Sequence, residues 1–166
     1  IFDYKLNKTM VPKENSCLTN EIIIAGNLAT NKTSYLYNLL KLKSKIKFNL
    51  YGPNFDVDLK SENINYFGCF PPEDLIDNLN GSFGLVWDGN SIETCSGYTG
   101  NYLRYNNPHK ASLYLVAQIP IVIWEESEMA DFVLKNGVGI TVKSLNEIEE
   151  KINSLTQEQY KEMISK

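Results

Sequence analysis

Arginine is almost missing from this chain. Arg104 stands alone among 16 basic residues, and His109 is the single histidine. With 20 acidic residues the net charge is −4. Basic stripes supply most of the affinity for nucleic acid, so a chain of this kind is a poor nucleic-acid binder. Any anion it holds must be met by a local site rather than a general positive field. Cysteine is scarce as well. Cys17, Cys69 and Cys95 are far apart and form no CxxC pair, and one histidine cannot complete a zinc site. They read as reduced thiols of a cytoplasmic protein, with no metal expected. No apolar run approaches the ~20 residues of a membrane span. The longest, Glu21–Gly26, Phe83–Trp87 and Ile119–Trp124, are strand-sized, and no signal-peptide pattern is visible. The motifs GxGxxG, GxxxxGK[ST] and GxSxG are absent, so a dinucleotide-binding loop is weakly supported and a P-loop and a nucleophile elbow are excluded.

What is present fits a globular domain. A chain of 166 residues, 43% hydrophobic and 22% charged, buries roughly 68–70% of its unfolded surface without staples or metals. Residues 1–20 are polar and irregular and read as a linker or lead-in, and residues 21–166 as the folded domain. Strand patterns recur at Glu21–Gly26, Ile46–Gly52, Ile64–Gly68, Phe83–Asp88, Pro120–Trp124 and Gly139–Val142. Helical patterns lie between them, at Thr33–Lys43, from Pro71 to about Leu79, from Pro108 to about Gln118, and at Ser127–Lys135 with Asn136-Gly137 as its stop. Ser144-Leu-Asn-Glu147 and Thr156-Gln-Glu-Gln159 read as two capping boxes, the second opening a last helix that runs to the chain end. Strands alternating with helices predict a Rossmann-like open parallel sheet with helices on both faces.

In such a sheet, ligands sit beyond the carboxyl ends of the strands. The longest and most polar loop there is Asp88–Asn107, with Tyr98, Tyr102 and Tyr105, and loops of that length are commonly functional or disordered. After it, Asn107 is an N-cap candidate and Pro108 fits the first helical position. The amides of His109, Lys110 and Ala111 would then be unpaired, which makes an anion site. A lysine in a first turn opposes the helix dipole, so Lys110 is poorly placed for stability and well placed beside a bound phosphate. His109 is expected as a hydrogen-bonding contact to phosphate or sugar, or as a cap, in preference to a general base. The loop after the first strand offers Gly26 for close approach, with Asn27 and Lys32 able to serve a phosphate or sugar; a turn with a helix cap is the plainer reading. Trp87 and Trp124 are expected in the core. No carboxylate pair is placed by spacing as general acid and base.

Several segments together resemble a known family. Ile24-Ala-Gly-Asn-Leu28, Tyr51-Gly52, Phe67-Gly-x-Phe-Pro-Pro-Glu-Asp-Leu75, Phe83-Gly-Leu-Val-Trp-Asp88, Tyr102-x-x-Tyr-Asn-Asn-Pro-His-Lys110, Leu113-Tyr-Leu115 and Pro120-Ile-Val-Ile-Trp124 resemble the carboxyl-terminal half of glucosyltransferase 3 type enzymes, a group that includes β-1,6-galactofuranosyltransferases. The resemblance runs over about residues 20–165, and Asn-Asn-Pro-His-Lys and Trp-Asp are its most specific parts. It implies the carboxyl-terminal half of a GT-B glycosyltransferase, which holds a UDP-sugar without a cofactor or metal and faces an amino-terminal acceptor domain that this chain lacks. It places Gly26, Asn27 and Lys32 on the phosphate and sugar side, and Tyr51, Phe67 and Gly68 around uracil. Asp88, Asn106, Asn107, His109, Lys110 and Ser112 fall to the diphosphate and ribose. In many GT-B enzymes a glutamate contacts the ribose; this chain has none between Glu93 and Glu125, which leaves Ser112 for that contact. The implied function is donor binding for transfer of glucose or galactofuranose to a glycan or glycoprotein, with no catalytic residue in this chain, which by itself would bind UDP and transfer nothing. A homo-oligomer is compatible with this reading. The alternatives are a non-catalytic sugar-nucleotide module and a flavodoxin-like domain.

Overall fold

The computed structural model describes residues 16–39, 41–59 and 61–166, so most of the expected lead-in lies outside the described residues. Each predicted strand forms: β1 Glu21–Ala25, β2 Lys47–Tyr51, β3 Ile64–Tyr66, β4 Phe83–Val86, β5 Ile121–Trp124 and β6 Gly139–Val142. All adjacent pairs are parallel, in the order β3-β2-β1-β4-β5-β6. Parallel strands need crossovers, and the right-handed rule puts helices on both faces of the sheet. The central strands show it directly: Ile22, Ile23 and Ile24 are each at most 2% exposed, buried on both sides.

The helices are α1 Thr30–Thr33, α2 Tyr35–Leu39, α3 Pro72–Asn78, α4 Gly97–Tyr102, α5 His109–Val116, α6 Ala130–Asn136, α7 Ile148–Asn153 and α8 Gln157–Ile164. The single helix expected over Thr33–Lys43 is instead α1 followed by α2, broken at Ser34. The Ser144 box does not close. Its hydroxyl accepts from the Asn146 amide, Glu147 turns back to the Lys143 amide, and the turn is a 3-10 helix, Leu145–Glu147. The Thr156 box is reciprocal, with Gln159 N to Thr156 Oγ1 at 3.2 Å and Thr156 N to Gln159 Oε1 at 2.8 Å. It opens α8, which ends at Ile164 within the chain. Gly137 closes α6 in the left-handed conformation, as its place after Asn136 predicts. Residues 16–19 are docked on the domain. Leu18 N donates to Gln157 Oε1, Gln157 Nε2 donates to Ser16 O, and Ser82 ties to Cys17 O and Thr19.

One packing detail shapes the middle of the sheet. β1 pairs with β2 along its full length but with β4 only at Ile22–Phe83 and Ile23–Gly84. Beyond that point the Tyr114 hydroxyl of α5 takes the place of β4. It accepts from the Ala25 amide at 2.9 Å and donates to the Ile23 carbonyl at 3.2 Å. The ring passes directly over Gly84, where a Cβ would lie 2.2 Å from Tyr114 Cγ. A buried tyrosine thus satisfies backbone groups that would otherwise be orphaned and splays β1 from β4.

Candidate functional site

The sheet changes direction between β1 and β4, the switch point at which ligands enter open α/β sheets. A cavity of about 500 Å³ lies there. Its floor is the β1 end and following turn, Ile24–Leu28; its walls include Asp88 after β4, Tyr98 and Tyr102 of α4, and Pro108, His109 and Lys110 opening α5. Among the described residues the charged lining is Lys32, Asp88 and Lys110, a sum of +1 with His109 neutral, within a chain of net charge −4. A second concavity of about 470 Å³ at the outer edge of β3 is lined by apolar residues, Ser61 and Glu62, with no cation among the described residues that line it.

The turn after β1 is built by two glycines. The Gly26 amide donates to Tyr51 O at 2.9 Å, and a Cβ on Gly52 would lie 1.8 Å from the Gly26 carbonyl oxygen. Both have positive φ, so the two strand ends meet with no side chain between them. Asn27 Oδ1 accepts from the Ala29 amide and from Asn54 Nδ2. Its oxygen therefore holds the turn, the plainer role that its sequence allowed.

Two features of α5 correct the expectation. Pro108, not Asn107, is the N-cap, with no side-chain cap, and the Ala111 amide bonds the Pro108 carbonyl at 2.9 Å. The helix therefore starts one residue later and Ala111 is not an open donor. Lys110 also has a counter-ion within the chain. Its Nζ lies 2.8 Å from Asp88 Oδ1 and 3.0 Å from the Trp87 carbonyl, and the pair is about one fifth exposed.

Gly26, Asn27, Lys32, Asp88, Asn106, His109 and Lys110 share this cavity. Asn106 has a buried Oδ1 without a protein partner. The other expected residues stand apart from the cavity lining. Asn107 is exposed just before the N-cap. Ser112 is buried and lines a different concavity with Leu115, Val116 and Phe132. Tyr51 is 1% exposed, its hydroxyl accepts from the Asn80 amide, and its ring stacks on Phe67 at 5.0 Å and 8°. Phe67 has an open face and Gly68 bonds through its carbonyl to the Gly52 amide. These three form an aromatic corner at the ends of β2 and β3.

Sequence reasoning missed α4, the cavity wall. It also missed Thr99 and Leu75 among the lining residues. Tyr98 and Tyr102 are four apart, the spacing of one helix face, a signal hidden by Gly97 and Gly100. Arg104 has no part in the cavity lining. It lies 4.8 Å from the Trp124 ring centroid and pairs with Glu126 at 2.7 Å.

Residues 22–166 match the profile of the family described as Glucosyltransferase 3-like, C-terminal domain. The chain belongs to this family. The resemblance read from the sequence therefore holds, and a flavodoxin-like domain is set aside. Among relatives of the Glucosyltransferase 3-like domain is Beta-1,6-galactofuranosyltransferase WbbI of Escherichia coli (strain K12). It is 40% identical over 167 residues, covering 98% of this chain and 48% of that protein. Glucosyltransferase 3 of Streptococcus gordonii is 31% identical over 105 residues, covering 63% of this chain and 30% of that protein. The chain therefore spans about half the length of WbbI, or less of the streptococcal relative. The fold recurs in TarM (TM-score 0.55, 14% identity, 98% of this chain and 32% of that one). It recurs also in AviGT4, a glycosyltransferase involved in avilamycin A biosynthesis (TM-score 0.55, 14% identity, 89% and 46%). The Rossmann-like sheet is thus of the GT-B fold, and the matching family model describes a C-terminal domain. No described helix is long and apolar enough to cross a membrane.

Proposed function

We propose that this Glucosyltransferase 3-like domain is the donor half of a glycosyltransferase and holds a UDP-sugar at the β1–β4 crevice. The observation that carries the reading is the cavity itself, a positively charged lining at the switch point of an acidic chain. Lys110, Lys32 and the first-turn donors of α5 meet the diphosphate, with the sugar over Gly26 and Asn27. The base stacks on the open face of Phe67, which Tyr51 supports from beneath. As the bond from sugar C1 to the phosphate oxygen breaks, the electron pair leaves with UDP and its diphosphate gains negative charge. Preorganised cations and N–H donors stabilise that charge, and on this reading they do so in place of a bound metal.

The transferred group is a hexosyl unit, glucose or galactofuranose, and the acceptor a glycan or glycoprotein. Acceptor and catalytic base come from the amino-terminal half of the full-length cytoplasmic enzyme, so the present chain binds donor and transfers nothing alone. Calorimetry with UDP, UMP and uridine tests this. UDP is expected to bind, and Lys110→Ala to weaken UDP roughly 10- to 100-fold, the worth of one charge-assisted hydrogen bond, with uridine nearly unchanged. A folded chain giving no heat with UDP or UMP would refute the reading, and equal losses for UDP and uridine would remove Lys110 from the phosphate.

A further inference from the structure

A site for an anion that also contains a carboxylate poses a question, because among the described residues Asp88 is the one acidic residue of the cavity lining and it sits on the cation. The ammonium of Lys110 has three donors. One goes to the Trp87 carbonyl and one to Asp88 Oδ1, and the third remains for the cavity. The two partners differ in kind. Trp87 is wholly buried, and its indole N–H is fixed on Ser91 O at 2.9 Å, so its carbonyl cannot leave. Asp88 is one residue past this anchor, and its side chain is partly exposed. Its carboxylate can rotate away while the ammonium stays tethered to the backbone.

We propose that Asp88 is an internal competitor for the anion: it holds and screens Lys110 while the site is empty, yields to the incoming diphosphate, and returns as the nucleoside diphosphate leaves. This rests on the donor-site reading above. The physical ground is that one carboxylate takes the lining from +2 to +1 without adding a donor to the ligand. It weakens every anion held there while keeping the lysine side chain extended and ready. Lys110 is then a binding residue and Asp88 a positioning residue that sets how tightly UDP stays.

The test is calorimetry on the whole chain with UDP, inorganic pyrophosphate and uridine, at two salt concentrations, for wild type, Asp88→Asn, Lys110→Met and the double variant. Asp88→Asn keeps the shape and removes the charge. It is expected to tighten UDP and pyrophosphate by about tenfold, the usual reach of one nearby charge. The salt dependence should steepen and uridine should be unaffected. In the Lys110→Met background the same change should lose most of its effect, because Asp88 acts through the ammonium. Thermal melting checks that each variant is folded, and Asp88→Ser serves if Asp88→Asn is not. UDP affinity that is unchanged or weakened by loss of the carboxylate overturns the competitor role alone and leaves UDP binding intact. A tightening that persists fully in the Lys110→Met background overturns it too. A wild-type chain that binds neither UDP nor pyrophosphate overturns the donor site and, with it, this inference.

Discussion

At the level of single residues, the three thiols divide by surroundings. Cys17 and Cys69 are exposed, while Cys95 is 1% exposed. Burial, more than any neighbour, pushes the Cys95 thiol up to about 12, with the nearby Asp88 charge adding to it. Thiolate is the reactive form, so Cys95 should be inert in the native protein. Titration with a chromogenic thiol reagent is expected to show two groups reacting before denaturant and a third only on unfolding. Three fast thiols would place Cys95 elsewhere. The sole arginine belongs to the same scale. It is spent on Trp124 and Glu126, so the scarcity of arginine bears on the whole surface and not on the cavity.

Among the elements, α5 carries the most consequence, because its first turn supplies the cavity and its second supplies Tyr114. Tyr114→Phe removes the hydroxyl that serves Ala25 N and Ile23 O. It leaves a buried N–H unpaired, at a cost of about 1–3 kcal/mol. Denaturant melts should show that loss with the slope unchanged; a neutral result would mean that water serves those groups instead. This is also the scale at which the sequence is most and least readable. The six strands are visible because runs such as Ile22-Ile-Ile24 are buried on both faces and need no periodicity. The start of α5 is visible to within one residue because proline fixes it. α4 is not, since Gly97, Gly100 and Asn101 are poor helix formers. That helix exists through tertiary fit: a Cβ on Gly100 would lie 2.7 Å from the Cys95 carbonyl carbon and 2.9 Å from Asp88 O, so only glycine lets it close on the loop. The Asp88–Lys110 contact is equally hidden. The residues are 22 apart, and only the β4–α5 crossover brings them together. The burial of Tyr51 is hidden in the same way: its ring lies beneath Phe67, a packing that only the ends of β2 and β3 together create.

For the molecule as a whole, several ionisable groups are held protonated by burial. Tyr35 and Tyr114 are raised well above the ordinary tyrosine value, chiefly by desolvation, and Cys95 rises from 9.0 to about 12. An unfolded chain releases these protons first, so it binds fewer of them above about pH 9, and stability then falls as pH rises. Below that, these groups contribute no pH dependence. Urea melts at pH 8 and pH 10.5 should show a clear loss at the higher value, with tyrosinate absorbance of the buried rings appearing only with unfolding. Equal midpoints would mean that the rings ionise in place. The crevice itself depends on an atom the chain does not have. With no methyl group at Gly84, α5 can settle onto the sheet deeply enough for one phenol oxygen to stand in for a strand. Any chain that put bulk at position 84 would have to give up volume at 114 for α5 to lie as close to the sheet.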